Sequence, residues 1–262
     1  MTIGIAPGVS QAEELVSFSN ELADAARPIA LRYFRSRVGF EQKEDLSPVT
    51  IADRAIEGEL RRRIAARYPD HGILGEEMEQ TPGERYTWYL DPIDGTKSFI
   101  SGMPLFGTLI AFADGDRATL GVIDMPALGE RWVGSSRGAF FNDTPAQVSS
   151  VTRLAEAQIY TSSPDFFQAD EWLRYDALSR RCLFRRFGGD CYQYGLLASG
   201  YCDLVVETSL KIFDFMALIA VVEGAGGLIR DWNGQRLTPT SDGRVVAAAT
   251  PALMALALDA LR

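Results

Sequence analysis

Cysteine and histidine are scarce in this chain of 262 residues, which holds three of the first and one of the second. Cys182, Cys191 and Cys202 are odd in number and lack CxxC spacing, so reduced thiols that serve packing, in a cytoplasmic protein, are expected. No apolar run approaches the roughly 18 residues that mark a membrane-spanning helix, so none is expected. Residues 1–10 lack a basic segment followed by a long apolar one, and no signal peptide is expected. Positive charge is in deficit: 26 Lys and Arg stand against 35 Asp and Glu, a formal charge of −9. Such a surface disfavours non-specific binding to nucleic acid or anionic membrane. It leaves the local potential at a site open, because bound cations can reverse it. Internal repeats, low-complexity tracts and long linkers are also missing, which points to one compact unit. What is present is an ordinary globular mix, 47% apolar and 23% charged, long enough for a sizeable core.

One stretch organises the rest: Leu90-Asp91-Pro92-Ile93-Asp94-Gly95-Thr96-Lys97. Tyr86-Thr87-Trp88-Tyr89 before it reads as a strand, which Pro92 is expected to stop because proline brings no N–H to the ladder. Asp91 and Asp94 then stand on one turn, with Gly95 freeing the backbone beyond them. Two carboxylates this close repel unless a cation lies between them. Hard oxygen ligands at a strand-to-loop corner suit Mg²⁺. Gly75-Glu76-Glu77 is a further acidic pair upstream, and Thr96 adds a hydroxyl. Each piece alone reads as an ordinary polar turn; together they indicate a metal site.

Ser10-Gln11-Ala12-Glu13 is a capping-box pattern, followed by Leu15, Phe18, Leu22, Ala26, Ile29 and Tyr33 at helical spacing. Lys43 to Pro48 is a loop or hairpin over the site. Thr50 and Asp53 start a second helix with Ile56, Leu60 and Ile64 on its apolar face. Strands follow at Ile73-Leu74, Leu105 to Ala113, Ala118 to Asp124, Arg131 to Gly134 and Gly138 to Phe141, a largely antiparallel meander. From about Val151 strands alternate with helices: Ile159 to Thr161, a helix over Asp165 to Arg181, Leu183 to Phe187, a helix to Ser199, Asp203 to Glu207, and a helix from Asp214 to Glu223. Leu228 to Trp232 and Val245 to Ala249 precede a closing helix with Pro251 at its first position. An α/β second half is therefore expected, with residues 1–150 and 151–262 as two subdomains.

Gly75-Glu76-Glu77 followed by Asp91-Pro92-Ile93-Asp94-Gly95-Thr96 resembles the inositol monophosphatase family of Mg²⁺-dependent phosphatases. Pro48-Val49-Thr50-Ile51-Ala52-Asp53, Phe213-Asp214 and Glu223-Gly224-Ala225-Gly226-Gly227 extend the resemblance over nearly the whole chain. It implies a mixed α+β and α/β fold, a layered α-β-α-β-α sandwich with an N-terminal antiparallel sheet half and a C-terminal mixed-sheet half. It implies two or three Mg²⁺ ions and a homodimer. Glu76, Asp91 and the Ile93 carbonyl would hold a first metal; Asp91 would bridge to a second, completed by Asp94 and Asp214. Thr96 would bond the attacking water and Asp53 would accept a proton from Thr96, giving Asp53, Thr96 and Glu76 as catalytic residues. Gly95 and Thr96 would offer backbone N–H groups to phosphate.

Other phosphatase chemistries fail on the sequence. No cysteine is followed six residues on by arginine: Gly188, Leu197 and Thr208 stand there. The one histidine, His71, is not in an Arg-His-Gly motif. Asp114-Gly115-Asp116-Arg117-Ala118 ends in Ala rather than Thr or Val and reads as a hairpin turn.

Within the family, Lys97-Ser98-Phe99-Ile100-Ser101-Gly102, Gly188-Gly189-Asp190 and Glu207-Thr208-Ser209-Leu210-Lys211 resemble the histidinol-phosphatase branch; Phe213 is a departure, since Tyr often stands there. L-Histidinol phosphate carries an ammonium and an imidazole, and Asp190 and Glu207 are placed to bind them. The resemblance thus implies hydrolysis of L-histidinol phosphate in histidine biosynthesis. Inositol-1-monophosphatase, or a broad sugar or nucleotide phosphatase, is the alternative, and an idle binding protein on the same scaffold is a third reading. Several residues stay open at this level. Asp53 also suits a helix N-terminus, Asp190 also suits a helix cap, Glu77 is either a ligand through water or surface, and Lys43 and Lys97 lie near phosphate or in solvent.

Overall fold

The computed structural model describes residues 10–36, 40–42 and 48–262. Lys43 and most of the loop expected over the site lie outside these residues. Helix α1 (Gln11–Tyr33) begins at the capping box: Glu13 N–H donates to Ser10 Oγ at 3.3 Å and Ser10 N–H to Glu13 Oε2 at 3.0 Å. Strands β1 (Phe40–Gln42) and β2 (Pro48–Thr50) pair antiparallel, and Thr50 caps α2 (Ile51–Arg67). The apolar stripes of α1 and α2, including Leu22, Ala26, Ile56, Leu60 and Ile64, bury against Trp88, Leu90 and Phe112 of the sheet beneath. Each of the leucine and isoleucine side chains contributes about 1.5–3 kcal/mol by leaving water.

That sheet has seven strands in sequential order. They are β3 (Gly72–Gly75), β4 (Tyr86–Asp94), β5 (Gly107–Asp114), β6 (Arg117–Met125), β7 (Glu130–Ser135), β8 (Gly138–Phe141) and β9 (Thr144–Ala146). Only β3 pairs parallel with its neighbour. A short helix α3 (Thr96–Ser101) interrupts the meander after β4.

The second half contains β10 (Gln158–Thr161), α4 (Ala169–Ser179), β11 (Phe184–Phe187), α5 (Tyr192–Ala198), β12 (Leu204–Glu207), α6 (Ile212–Gly224), β13 (Leu228–Asp231), β14 (Val245–Ala248) and α7 (Pro251–Leu261). Its five strands run β11-β10-β12-β14-β13 and are mixed: β10 is parallel to β11 and β12, while β14 is antiparallel to both neighbours. Helices α1 and α2 cover the outer face of the first sheet, α5 and α6 lie between the sheets, and α4 and α7 cover the second. The molecule is thus the α-β-α-β-α sandwich the resemblance implied. Its largest apolar cluster draws on both sheets, from Tyr89 and Ile123 to Val205 and Val245, with Phe215, Met216 and Val221 of α6 between them.

Two local expectations are corrected. Pro92 does not stop the strand. The ladder pairs Asp91 with Leu109, skips Pro92 and Ile93 in a bulge, and resumes with Asp94 opposite Gly107. A bulge leaves its extra residues unpaired, so the missing N–H of proline costs no ladder bond. The helix expected over Asp165 to Arg181 is split: Pro164–Phe166 is a 3-10 turn, and α4 starts at Ala169 behind a Gln168–Glu171 cap.

Candidate active site

The bulge in β4 makes the site. Freed from the ladder, Ile93 N–H turns to Asp91 Oδ1 at 3.1 Å, and the Thr108 hydroxyl holds the Pro92 carbonyl at 2.8 Å. The Ile93 side chain is buried, and its carbonyl accepts the Thr96 hydroxyl at 3.0 Å. Gly95, at φ +80°, reverses the chain into α3. Only glycine fits there, because a Cβ would stand 2.8 Å from Asp190 Oδ2 and 2.9 Å from the Leu105 carbonyl.

Helix α6 brings the third carboxylate. It lies so close on the first sheet that a Cβ on Gly121 would overlap the Ala217 carbonyl. Asp214, in its first turn, accepts the Lys211 N–H at 2.7 Å. One oxygen each of Asp91, Asp94 and Asp214 lies within 4.8 Å of the others. Glu76, just past β3, lines the same cavity, and its charge acts on Asp91; its own N–H donates to the Leu90 carbonyl at 3.2 Å. These groups line a cavity of about 460 Å³ that extends to Asp190 and Glu207.

Lost hydration is the first cause that raises the pKa values of Asp91 and Asp94 well above the carboxylate range. Mutual repulsion adds to it: Glu76, Asp94 and Asp214 act on Asp91, and Asp190 and Asp214 on Asp94. Burial likewise pushes Asp214 up to about 7, against the pull of the Lys211 amide. Carboxylates crowded in this way are ionised together only with a cation among them. An all-oxygen donor set of this kind fits a hard divalent ion such as Mg²⁺.

Asp53 and Thr96 are not joined by a hydrogen bond. Asp53 Oδ2 accepts the Thr50 N–H at 2.8 Å and the Thr50 hydroxyl, while Thr96 donates to Ile93. Asp53 Oδ1 is buried and has no hydrogen-bond partner. Burial raises this carboxyl to about 6, opposed by Thr50 and assisted by the charge of Glu76. Asp53 thus makes the cap bonds of α2 with one oxygen and keeps the other buried and unused.

Asp190 and Glu207 reach the cavity from the second half. Gly188 and Gly189 at positive φ, followed by Asp190 at φ +46°, turn the chain so that Cys191 N–H donates to Asp94. The Asp190 carboxylate accepts the Ser98 hydroxyl at 3.3 Å, and α5 has no side-chain cap, so the cap role is not how this residue is used. Burial raises Asp190, and Ser98 and nearby Lys97 lower it. Lys97 Nζ also lies 5.0 Å from the centre of the Phe166 ring. Glu207 is buried at the end of β12, accepting Ser162 N–H at 2.8 Å and the Tyr194 hydroxyl at 3.1 Å. Burial pushes its carboxyl to about 7. His71 has a structural part: stacked on Tyr68, it accepts the Trp88 indole N–H at 3.1 Å.

Sequence reasoning missed Glu57, Ser98, Ser162 and Tyr194. Only Glu57 left a signal. It falls on the stripe of Asp53, Leu60 and Ile64, an acid where helical spacing puts apolar side chains. The others are ordinary residues that matter only through tertiary contacts: Ser98 meets Asp190 across the halves, and Ser162 and Tyr194 both meet Glu207.

Comparison with known proteins agrees with this geometry. A model of the inositol monophosphatase family matches residues 11–262. A bifunctional phosphatase IMPL2 of Arabidopsis thaliana is 42% identical over 91% of this chain and 70% of its own length. A histidinol-phosphatase of Chlorobaculum parvum is 39% identical over 87% of this chain and 89% of its own. Among solved structures, an inositol monophosphatase from Zymomonas mobilis superposes with TM-score 0.89 and 42% identity, covering 97% of this chain and 99% of that one.

Proposed function

The chain belongs to the inositol monophosphatase family and is a phosphoric monoester hydrolase, and from that premise we propose that it hydrolyses L-histidinol phosphate to L-histidinol and phosphate. The observation that carries this reading is the second acidic pair. Asp190 and Glu207 line the same cavity as the carboxylate cluster, beyond Asp91, Asp94 and Asp214. A phosphate end drawn to cations and a head bearing an ammonium and an imidazole match these two acidic regions in turn. The relatives named histidinol-phosphatase support it.

In this reading Glu76, Asp91, Asp94, Asp214 and the Ile93 carbonyl hold Mg²⁺. When bound, Mg²⁺ would supply an acidified water and neutralise phosphate oxygens. The backbone N–H groups of Gly95 and Thr96 would orient the phosphate, since the first amides of a helix lack partners within it. The Thr96 hydroxyl would turn from the Ile93 carbonyl to align the attacking water, and Asp53 would receive the proton at Oδ1. The carboxylates of Asp190 and Glu207 would fix the cationic head.

Inositol 1-phosphate is the second reading, favoured by the likeness to the Zymomonas mobilis enzyme. Phosphate release from histidinol phosphate, inositol 1-phosphate, fructose 1,6-bisphosphate and adenosine 3′,5′-bisphosphate, each with Mg²⁺, separates the two. Histidinol phosphate is expected to give the highest kcat/KM. A preference for inositol 1-phosphate would overturn the substrate assignment and leave the phosphatase. A cytoplasmic homodimer is part of the proposal. Leu183, just before the edge strand β11, and Phe184 and Phe187 on it lie exposed, an edge that suits burial against a second copy. Sedimentation at the monomer mass would exclude the dimer.

A further inference from the structure

Glu57 lies on α2 with no exposed surface, and it is not among the residues that line the cavity. Its carboxylate accepts three donors, two of them from the turn that follows Glu76. Oε2 accepts the Glu77 N–H at 2.7 Å, and Oε1 accepts the Met78 N–H at 3.2 Å. Oε1 also accepts Arg61 Nε–H at 2.7 Å, and Arg61 in turn reaches the Met78 carbonyl at 3.2 Å and the Thr81 hydroxyl at 3.3 Å. The turn closes so tightly on this group that a Cβ on Gly75 would overlap it.

Glu76 is therefore held on both sides. Its own N–H is fixed to β4 through the Leu90 carbonyl, and the two amides after it are fixed to Glu57. These two anchors fix the backbone from which the Glu76 side chain enters the cavity. We propose that Glu57 is a positioning residue for the divalent-cation site: it aims Glu76 from outside the cavity, and cation affinity depends on it. Groups that orient a ligand without touching the ion commonly change affinity by about 10–100-fold when removed. The proposal rests on the reading of Glu76 as a metal ligand. A buried ion pair serving only to join α2 to the turn would affect folding and leave cation affinity alone.

The test is calorimetric titration of Mg²⁺ into the full chain, stripped of metal beforehand, for the unaltered protein and Glu57→Gln. The amide keeps the size of the side chain and one acceptor, but it cannot accept from Glu77, Met78 and Arg61 together. The dissociation constant for Mg²⁺ is expected to rise about tenfold or more. If Glu57→Gln fails to fold, Arg61→Gln is titrated instead; it leaves the carboxylate in place and removes its orienting partner, and the same rise is expected. An affinity equal to that of the unaltered protein, in whichever variant folds, overturns the inference, whatever the melting temperature does. If the unaltered protein binds no Mg²⁺, it is the reading of the carboxylate cluster that fails.

Discussion

Stripped of divalent cations, the protein is expected to lose stability as pH rises from about 4 to 7, the reverse of ordinary acid denaturation. The carboxyls of Asp214 and Asp53 are raised from 3.8 to about 7 and about 6, and that of Glu207 from 4.5 to about 7. Between the ordinary and the raised value the folded chain keeps a proton that the unfolded chain has released. The unfolded state then binds fewer protons, so stability falls with rising pH. The contribution is complete below the ordinary value and gone above the raised one. For Asp214 the interval from 3.8 to about 7, at about 1.4 kcal/mol per unit, amounts to on the order of 4 kcal/mol. At about 2–4 °C per kcal/mol for a chain of this size, the melting temperature should drop by about 10 °C. Asp91 and Asp94 act in the same direction. The assay is thermal unfolding in chelator across this range, repeated with saturating Mg²⁺, which binds the ionised carboxylates and should abolish the decline. Asp214→Asn keeps an acceptor for the Lys211 N–H and carries no charge. It should be more stable than the unaltered protein in chelator above about pH 7 and gain little from Mg²⁺. A chelated melting temperature that stays flat or rises with pH, or an Asp214→Asn protein stabilised by Mg²⁺ as fully as the original, would refute the reasoning.

Thr96→Ala and Asp53→Asn should each lower kcat by about 100-fold or more with little change in KM, and the double variant should be scarcely worse than either; steady-state phosphate release decides, and full activity in either single variant removes the proposed pair. Asp190→Asn should weaken use of histidinol phosphate by on the order of 2–5 kcal/mol in kcat/KM. It should leave a phosphomonoester with a neutral head nearly untouched, and equal losses on both substrates would make Asp190 a structural residue.

Much of the site was legible because its residues are local. Asp91, Ile93, Asp94, Gly95 and Thr96 come from one turn, and a chain that packs two carboxylates, a glycine and a hydroxyl so closely restricts its own chemistry. Asp53 was legible as a helix start, since Thr50 and Asp53 satisfy each other within one turn of α2. Pro92 is not legible in this way, because a missing N–H ordinarily ends a strand, whereas a bulge leaves that position unpaired in any case. Helix α3 leaves no pattern in the sequence, because six residues, Thr96–Ser101, are too few to show a period.

The sequence by itself determined the helix-and-meander first half, the alternating second half, the caps of α1 and α2 and the closeness of Asp91 to Asp94, because periodicity, turn chemistry and short spacings act between near neighbours; Asp214 entered only through the family resemblance. Only the tertiary structure decided what those groups meet. The approach of Asp214 to Asp91 depends on how closely α6 lies on β6. The contact of Asp190 with Ser98 crosses between the halves. The enclosure of Glu57 by the Glu76–Glu77 turn joins a helix to a strand end twenty residues away. Each of these depends on desolvation and on distances between elements remote in the chain, and no local pattern encodes them.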